Sequence, residues 1–298
     1  MVTEEFPVGS VVVGTDGSEN AHQAVDWAAA EAARRGVGLH VVYAFPWIAR
    51  ARAWEFSPPP EVTENGERVV AAAVARVAER CPGVTVTTEV LVESPAIALV
   101  EASRRAGLVV VGARGHGHGQ DEDSLLGSVA QKVTAHARTH VVVVRGESPA
   151  GEEAPVVVGM DPEEGAPEAM EFAFEEAQRR GTRLIVVQGD QEDMAYPDYP
   201  DAVVSGHYDA AASEFAKVTA ERLNEWHRRF PDVPVELRLV RERPVRALVR
   251  ASAEASIVVV GSRGRGGLAG LLLGSVSRGV ASRAPVVAVI RSAGVPKH

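Results

Sequence analysis

Glycines recur at fixed intervals near the carboxyl end of the chain, in residues 261–275. Two residues separate Gly261 from Gly264, and nine separate Gly264 from Gly274, which Ser275 follows. Glycine has no Cβ and tolerates positive φ, so backbone N–H groups can approach phosphate oxygens closely. A β-branched run precedes this segment and an amphipathic helix is predicted after it, so free helical N–H groups would add to the attraction for an anion. The spacing predicts a phosphate-binding loop.

Side chains within and after this loop could contribute as well. Arg263 and Arg265 bring positive charge, and the hydroxyls of Ser275 and Ser277 can donate to phosphate. The simpler alternative is that the glycines only end strands and that Ser275 only caps a helix. The lysine of a G-x4-G-K-[S/T] loop is missing from the segment, so it is not a phosphate loop of that kind.

The same motifs occur earlier in the chain in the same order. Residues 11–16 and 156–161 share the pattern Val-Val-Val-Gly-x-Asp, and residues 109–115 match 258–264. Gly127-Ser-Val is likewise repeated at Gly274-Ser-Val. These ordered matches indicate a duplicated domain, with a first copy at 1–146 and a second at 154–298. The segment between them is rich in Gly, Pro, Ser and acidic residues, as expected of a linker.

Each half alternates short apolar runs with Ala-rich amphipathic stretches. The predicted strands lie near 10–15, 38–45, 84–92, 107–112 and 139–145, and again near 155–160, 182–188, 233–240, 256–261 and 285–291. This alternation predicts an α/β fold of two tandem doubly wound parallel-sheet domains, with strand order 3-2-1-4-5. We expect the final strands of the two halves to pair. The repeated motifs then converge where strands one and four end, which is where such sheets bind ligands.

The motifs together resemble the universal stress protein family, in the branch that carries G-x2-G-x9-G-[S/T] and binds ATP. The likeness covers both halves, essentially the whole chain. It implies an ATP site in each half, with Mg²⁺ as the accompanying cation. The aspartate after the first strand would lie near the ribose, the end of the second strand near the adenine, and the glycine loop on the phosphates. The residues so implied are Gly14, Asp16, Ala44, Gly112, Arg114, Gly115, Gly127, Ser128 and Val129 in the first half, and Gly159, Asp161, Gly189, Gly261, Arg263, Gly264, Gly274, Ser275, Val276 and Ser277 in the second.

The two halves depart from this pattern in different places. In the first loop eleven residues, three of them acidic, separate Gly115 from Gly127. Carboxylates repel a triphosphate unless a cation intervenes. The second half has Asp-Pro-Glu at 161–163, where the first has Asp-Gly-Ser at 16–18. We expect nucleotide in both halves and favour the second. A divalent-cation site at His116 and His118 is the weaker alternative to a solvated loop.

Composition narrows the function classes. The net charge of −9 argues against a nucleic-acid partner, since phosphate-backbone binding normally needs a basic face. Apolar runs are far shorter than a membrane span, and the first residues do not form a signal-peptide pattern. We therefore expect a cytoplasmic protein. The single cysteine, Cys81, excludes an internal disulfide.

These features favour an ATP-binding regulatory or signalling module with an unidentified protein partner, assembled as a homodimer or as an intramolecular pseudo-dimer. Two alternatives remain: slow ATP hydrolysis or nucleotidyl transfer at the same sites, and a structural protein with degenerate sites. We assign no catalytic residue and no protein metal ligand. Trp47, Trp54 and Phe56 are expected to pack a long connection, with a role in an adenine pocket or an interface as the alternative.

Overall fold

The computed structural model describes residues 6–47, 60–116, 126–151, 153–160, 167–189, 221, 223–240, 242–262 and 273–292. Packing divides the chain into two compact units. The first contains Met1–Glu147 together with Ala281–Arg291, and the second contains Ser148–Val280 with Ser292–His298. The last strand of the chain therefore belongs to the first unit by packing, although in sequence it completes the second repeat.

The first unit is a doubly wound sheet. Its strands are β1 (Val11–Gly14), β2 (Leu39–Ala44), β3 (Val86–Leu91), β4 (Leu108–Gly112) and β5 (His140–Val144), and its helices are α1 (Glu19–Arg35), α2 (Pro60–Arg80), α3 (Pro95–Ala102) and α4 (Ser128–His136). The five strands are parallel, in the order β3-β2-β1-β4-β5. This confirms the predicted order 3-2-1-4-5.

The second unit repeats this arrangement. Its elements are β6 (Val156–Gly159), α5 (Pro167–Arg180), β7 (Leu184–Gly189), the helical residues 223–229 (α6), β8 (Val235–Val240), α7 (Pro244–Ala251), β9 (Ile257–Gly261) and α8 (Ser275–Ala281). The four strands are parallel, in the order β8-β7-β6-β9, which fills the first four places of the predicted order.

The final strand of the chain, β10 (Val286–Ile290), pairs antiparallel with β5. Val286 lies opposite Val144, and Val289 lies opposite Val141. The prediction that the last strands of the two sequence halves pair is confirmed. Both strands are apolar and almost fully buried, so each covers an edge that would otherwise expose unpaired backbone groups.

Near-continuous valine, isoleucine and leucine strands explain the parallel sheet. Such strands are buried on both faces, and Val11, Val12 and Val13 show 0% exposure. The repeated Arg-Arg-Gly segments mark the ends of α1 and α5. Gly36 ends α1 with a φ of 65°, and Gly181, directly after α5, has a φ of 62°, a conformation that favours glycine.

The arginines before these glycines bind a buried acid. Glu31 is fully buried and pairs with Arg34 and Arg35, and in the second unit Glu176 pairs in the same way with the arginines at 179 and 180. The repeated segment is therefore a helix terminus and not part of a ligand site. No helix in the described ranges is both long and apolar enough to cross a bilayer.

Candidate functional site

The turn after β1 places Asp16 at the carboxyl end of the sheet. The Thr15 N–H donates to the Val42 carbonyl at 2.9 Å, which continues β1 alongside β2. Gly17 then adopts a φ of 79°, and the Ser18 hydroxyl caps α1 by accepting the Ala21 N–H at 3.3 Å. The cap of α1 is thus Ser18.

The glycine-rich loop of the first unit begins beside this turn. At Gly112 a Cβ would lie 3.0 Å from the Asn20 carbonyl oxygen, so the end of β4 packs closely on the start of α1. The Ala113 N–H donates to the Val144 carbonyl at 2.7 Å, and the Gly127 N–H donates to the Ala113 carbonyl at 2.7 Å. The first bond continues β4 beside β5, and the second holds the start of α4 against the end of β4. Residues 117–125, with His118 and the three acids, lie outside the described residues.

Asp16 binds the loop directly. Its Oδ2 accepts the His116 N–H at 2.9 Å, while the imidazole Nδ1 lies 3.6 Å from the same oxygen. A Cβ on Gly115 would lie 2.2 Å from Oδ2, so a larger residue at this position would displace the Asp16 carboxylate. Its other oxygen, Oδ1, accepts the Ser18 N–H at 3.0 Å. The sequence motifs do not reveal this organising role, because Asp16 and Gly115 are far apart in the chain.

Charged groups of both signs surround the loop of the first unit, the Asp16 carboxylate on one side and the guanidinium groups of Arg114 and Arg145 on the other. Burial alone would raise the pKa of Asp16, but hydrogen bonds from Ser18 and His116 outweigh it, and the pKa lies below its ordinary value. Asp16 is therefore ionised at neutral pH. Burial and the nearby Arg114 guanidinium lower the pKa of Arg145, which follows β5. The two guanidinium groups create a positive potential where β4 and β5 end.

The first turn of α4 follows this loop. Its N-cap, Gly127, has a φ of −67° and a ψ of 155°, and this residue has no side chain that could cap the helix. Any residue can adopt this conformation, so positive φ is not the reason for glycine here. The N–H groups of Ser128 and Val129 lie in this first turn, where helical N–H groups lack intrahelical acceptors. Ser128 is exposed.

In the second unit the loop ends meet in the same way. The Gly274 N–H donates to the Ser262 carbonyl at 2.9 Å, matching the bond between Gly127 and Ala113. The buried Ser277 hydroxyl donates to the Gly261 carbonyl at 2.5 Å, so its one proton is used within the protein. Ser277 therefore links the start of α8 to the end of β9, and its contact with phosphate stays a prediction. Ser275 and Val276 lie at the start of α8, whereas Asp161, Arg263 and Gly264 lie outside the described residues.

Several residues expected to contact nucleotide also have a packing role. A Cβ on Gly14 would lie 2.6 Å from Leu99 of α3, and a Cβ on Gly159 would lie 2.8 Å from Leu248 of α7. At Gly189 it would lie 2.8 Å from the Glu242 carbonyl oxygen. Backbone packing requires glycine at 189, whereas at 14 and 159 a larger residue would have to displace the end of a leucine side chain. Ala44, the last residue of β2, pairs with Leu91 at the carboxyl edge.

Comparison with known proteins agrees with this geometry. The sequence model of the Universal stress protein family matches residues 8–145 and 154–291. The chain belongs to the universal stress protein family. Universal stress protein Rv2005c of Mycobacterium tuberculosis H37Rv is 38% identical over 297 residues, which cover 95% of this chain and 97% of that protein. Universal stress protein Rv2623 of the same strain is 37% identical over 291 residues, which cover 93% and 95% respectively.

Solved structures of universal stress proteins share the fold. One from Archaeoglobus fulgidus DSM 4304 gives a TM-score of 0.62 at 19% identity and covers 96% of this chain and 98% of its own. One from Pseudomonas aeruginosa UCBPP-PA14, described as a putative member, gives 0.60 at 15% identity and covers 95% and 93%. The expected tandem architecture is confirmed: the chain contains two universal stress domains in sequence.

Proposed function

We propose that this universal stress protein binds ATP in each repeat and acts as a nucleotide-dependent regulatory module in the response to stress. One observation carries the proposal. In the first unit Asp16, the loop at 112–116 and the first turn of α4 meet at the carboxyl end of one sheet, joined by the bonds to His116 and Gly127. This is the place where a doubly wound sheet binds its ligand.

The described residues fit a phosphate chain. The N-cap of α4 is a glycine, which offers no side-chain acceptor, so the N–H groups of Ser128 and Val129 suit phosphate oxygens. Arg114, in the loop after β4, and Arg145, directly after β5, supply positive charge at the same end of the sheet. Asp16 suits a ribose hydroxyl, because each carboxylate oxygen has two acceptor sites and the backbone N–H groups of Ser18 and His116 take up one site on each oxygen.

We propose a matching site in the second repeat. It rests on the equivalent bond between Gly274 and Ser262 and on the intact G-x2-G-x9-G-S spacing. Gly261, Arg263, Gly264, Gly274, Ser275 and Val276 would surround the phosphates, with Asp161 on the ribose side. Mg²⁺ would arrive with the triphosphate, since it commonly keeps its waters and binds through substrate phosphates.

The ionised, hydrogen-bonded carboxylate of Asp16 favours ATP binding over ATP hydrolysis. A carboxylate with a lowered pKa, already accepting hydrogen bonds from Ser18 and His116, is a weak general base. Slow hydrolysis or nucleotidyl transfer at the same sites is the second candidate. The output of ATP binding would be a change in affinity for a protein partner or for a second copy of the chain. We propose the cytoplasm as its location, where ATP is available.

The nucleotide content of the purified protein tests this proposal. The protein is purified without added nucleotide, denatured, and the released small molecules are identified by mass spectrometry. We expect intact ATP, or ATP uptake on incubation with ATP and Mg²⁺. Conversion of added ATP to ADP or AMP in proportion to protein would favour the enzymatic candidate. Failure to retain or take up any adenine nucleotide would contradict the proposal.

A further inference from the structure

Trp47 follows the strand end assigned to the base of the nucleotide. After β2 the Phe45 N–H donates to the Leu91 carbonyl at 3.0 Å, so the chain stays beside β3 for one more residue. The Trp47 N–H then donates to the Phe45 carbonyl at 3.1 Å. This bond closes a three-residue γ-turn around Pro46, whose fixed φ suits the inverse form. The backbone at Trp47 is thereby tied to the end of β2.

The indole of Trp47 carries a buried donor that is unpaired within the described part of the chain. Its Nε1 atom exposes less than 1 Å² to solvent, and no described residue offers it a hydrogen-bond acceptor. Buried tryptophan N–H groups usually find a partner, because leaving one unpaired costs the hydration it had in water. An unpaired buried donor near a candidate binding edge therefore suggests an acceptor that a ligand supplies.

The position of Trp47 indicates which part of a nucleotide that acceptor belongs to. Gly14 of β1 lies opposite Val42 of β2, so Asp16 and Ala44 end neighbouring strands at one edge of the sheet. The phosphate loop follows β4, on the other side of β1. A nucleotide with its phosphates beside β4 and its ribose near Asp16 therefore extends its base toward the end of β2, where Trp47 lies.

We infer that Trp47 is a base-specificity residue of the first site, donating its indole N–H to a ring nitrogen of a bound purine. The inference rests on the proposed nucleotide site and adds the group that recognises the base. The adenine ring offers N1, N3 and N7 as acceptors. In the second repeat the position equivalent to Trp47 is Glu192, counted from Gly189 as Trp47 is from Ala44. An ionised carboxylate has no donor, so the second site reads the base without this bond.

The test compares Trp47→Phe with the unaltered residue in a chain whose second site is disabled by Asp161→Ala and Gly274→Val. Calorimetric titration measures the binding of ATP and of its 1-deaza, 3-deaza and 7-deaza analogues, each lacking one ring nitrogen. We expect Trp47→Phe to weaken ATP binding about 5- to 10-fold. One analogue should bind the protein that keeps Trp47 about 5- to 10-fold more weakly than ATP does. The Trp47→Phe variant should bind this analogue and ATP equally well. Trp226→Phe, which keeps its ring beside Phe174 in the other unit, is the control and should leave ATP binding unchanged.

Each other result overturns the inference. Equal binding by both proteins, or an equal loss for ATP and all three analogues, would make Trp47 a packing residue only. If the variant does not fold, the analogues still decide with Trp47 in place, because binding that does not depend on any ring nitrogen excludes the bond. If the unaltered chain binds no adenine nucleotide at all, the proposed ATP binding fails together with the role of Trp47. If it binds ATP but Trp47→Phe does not weaken that binding, only the role of Trp47 fails.

Discussion

The two repeats begin with the same strand motif but differ in the residues that follow it. In the first unit Gly17 adopts a φ of 79° and α1 starts at Glu19, capped by Ser18. In the second repeat the residue equivalent to Gly17 is Pro162. Proline fixes φ near −65°, which is incompatible with the positive φ that Gly17 adopts. The aspartate is kept in both repeats, but the glycine and serine that follow it are found only in the first.

The loops after the fourth strands show the opposite relation. The first loop is two residues longer between its glycines than the second, yet both are closed by one N–H to carbonyl bond, from Gly127 to Ala113 and from Gly274 to Ser262. Extra residues within a surface loop cost little when its ends are held. A change in spacing within the glycine motif therefore does not by itself show that a site is lost.

The largest expected effect on stability comes from placing the proline of the second repeat, Pro162, at the equivalent position of the first unit, Gly17. Gly17→Pro is incompatible with a φ of 79° and should destabilise the first unit by about 3 kcal/mol. The reverse change, Pro162→Gly, should alter the free energy of unfolding by less than about 1 kcal/mol. Urea unfolding of both variants measures the difference. Equal effects would show that the two turns are interchangeable.

Removing the aspartates compares the two proposed sites. Asp16→Ala and Asp161→Ala should each weaken ATP at their own site by about 1.5–3 kcal/mol, one to two decades in affinity. Thermal unfolding with and without ATP reports the loss, because bound ligand raises Tm by mass action. The double variant should show no ATP-induced shift. If Asp161→Ala alone removes the entire shift, only the second repeat binds.

The hydrogen bond between His116 and Asp16 can be disturbed through Gly115 without changing any charge. Gly115→Ala places a Cβ where only 2.2 Å is available to Oδ2, so the bond to His116 should be lost and ATP affinity at the first site should fall roughly tenfold. Gly83→Ala is the matched control, since a Cβ there meets nothing within 4 Å. Unchanged affinity in Gly115→Ala would show that the loop does not need Asp16 to bind nucleotide.

The helix cap provides a smaller test of the same turn. Ser18→Ala removes the acceptor for the Ala21 N–H and should lower the free energy of unfolding by about 1 kcal/mol. Glu163→Ala, at the equivalent position of the second repeat, should have an effect within about 0.5 kcal/mol. Chemical unfolding of the ligand-free proteins measures both. Similar losses would mean that residue 163 caps a helix after all.

The smallest expected effect is a pH dependence confined to the first unit. His40 is buried, contacts Thr87 at 2.9 Å and Glu89 at 3.4 Å, and stacks on Phe6. Burial lowers the pKa of His40 despite the opposing effect of Glu89. The unfolded chain therefore binds the proton first as the pH falls below about 6.5, and stability decreases in that range.

The second repeat supplies the control for this effect, because Ile185 stands where the first has His40. His40→Ile should flatten the dependence of Tm on pH between about 7 and 5, a change of about 2 °C or less. Differential scanning calorimetry across that range measures it. An unchanged slope in the variant would assign the pH dependence to other groups.

The repeats, the strand order and the meeting of the glycine loops with the first strands could all be predicted from sequence. They depend on local patterns: valine-rich runs, glycine spacing and the order of motifs along the chain. The requirement for Gly115 could not be predicted, because its neighbour Asp16 is brought to it only by the pairing of β1 with β4. Ser277 illustrates the same limit. Its spacing fits a phosphate contact, but its hydroxyl donates to the end of β9.

The sequence by itself determined that this protein is two α/β repeats with glycine loops at the ends of their fourth strands. Hydrophobic periodicity and turn residues act over a few neighbouring positions, so they determine the strands, helices and loops locally. Only the tertiary structure decided that Asp16 binds the loop backbone, that Gly14 and Gly159 make room for leucines, and that β10 packs with the first unit. These contacts join residues distant in sequence, and their distances depend on how strands pair and helices pack, which no local pattern specifies.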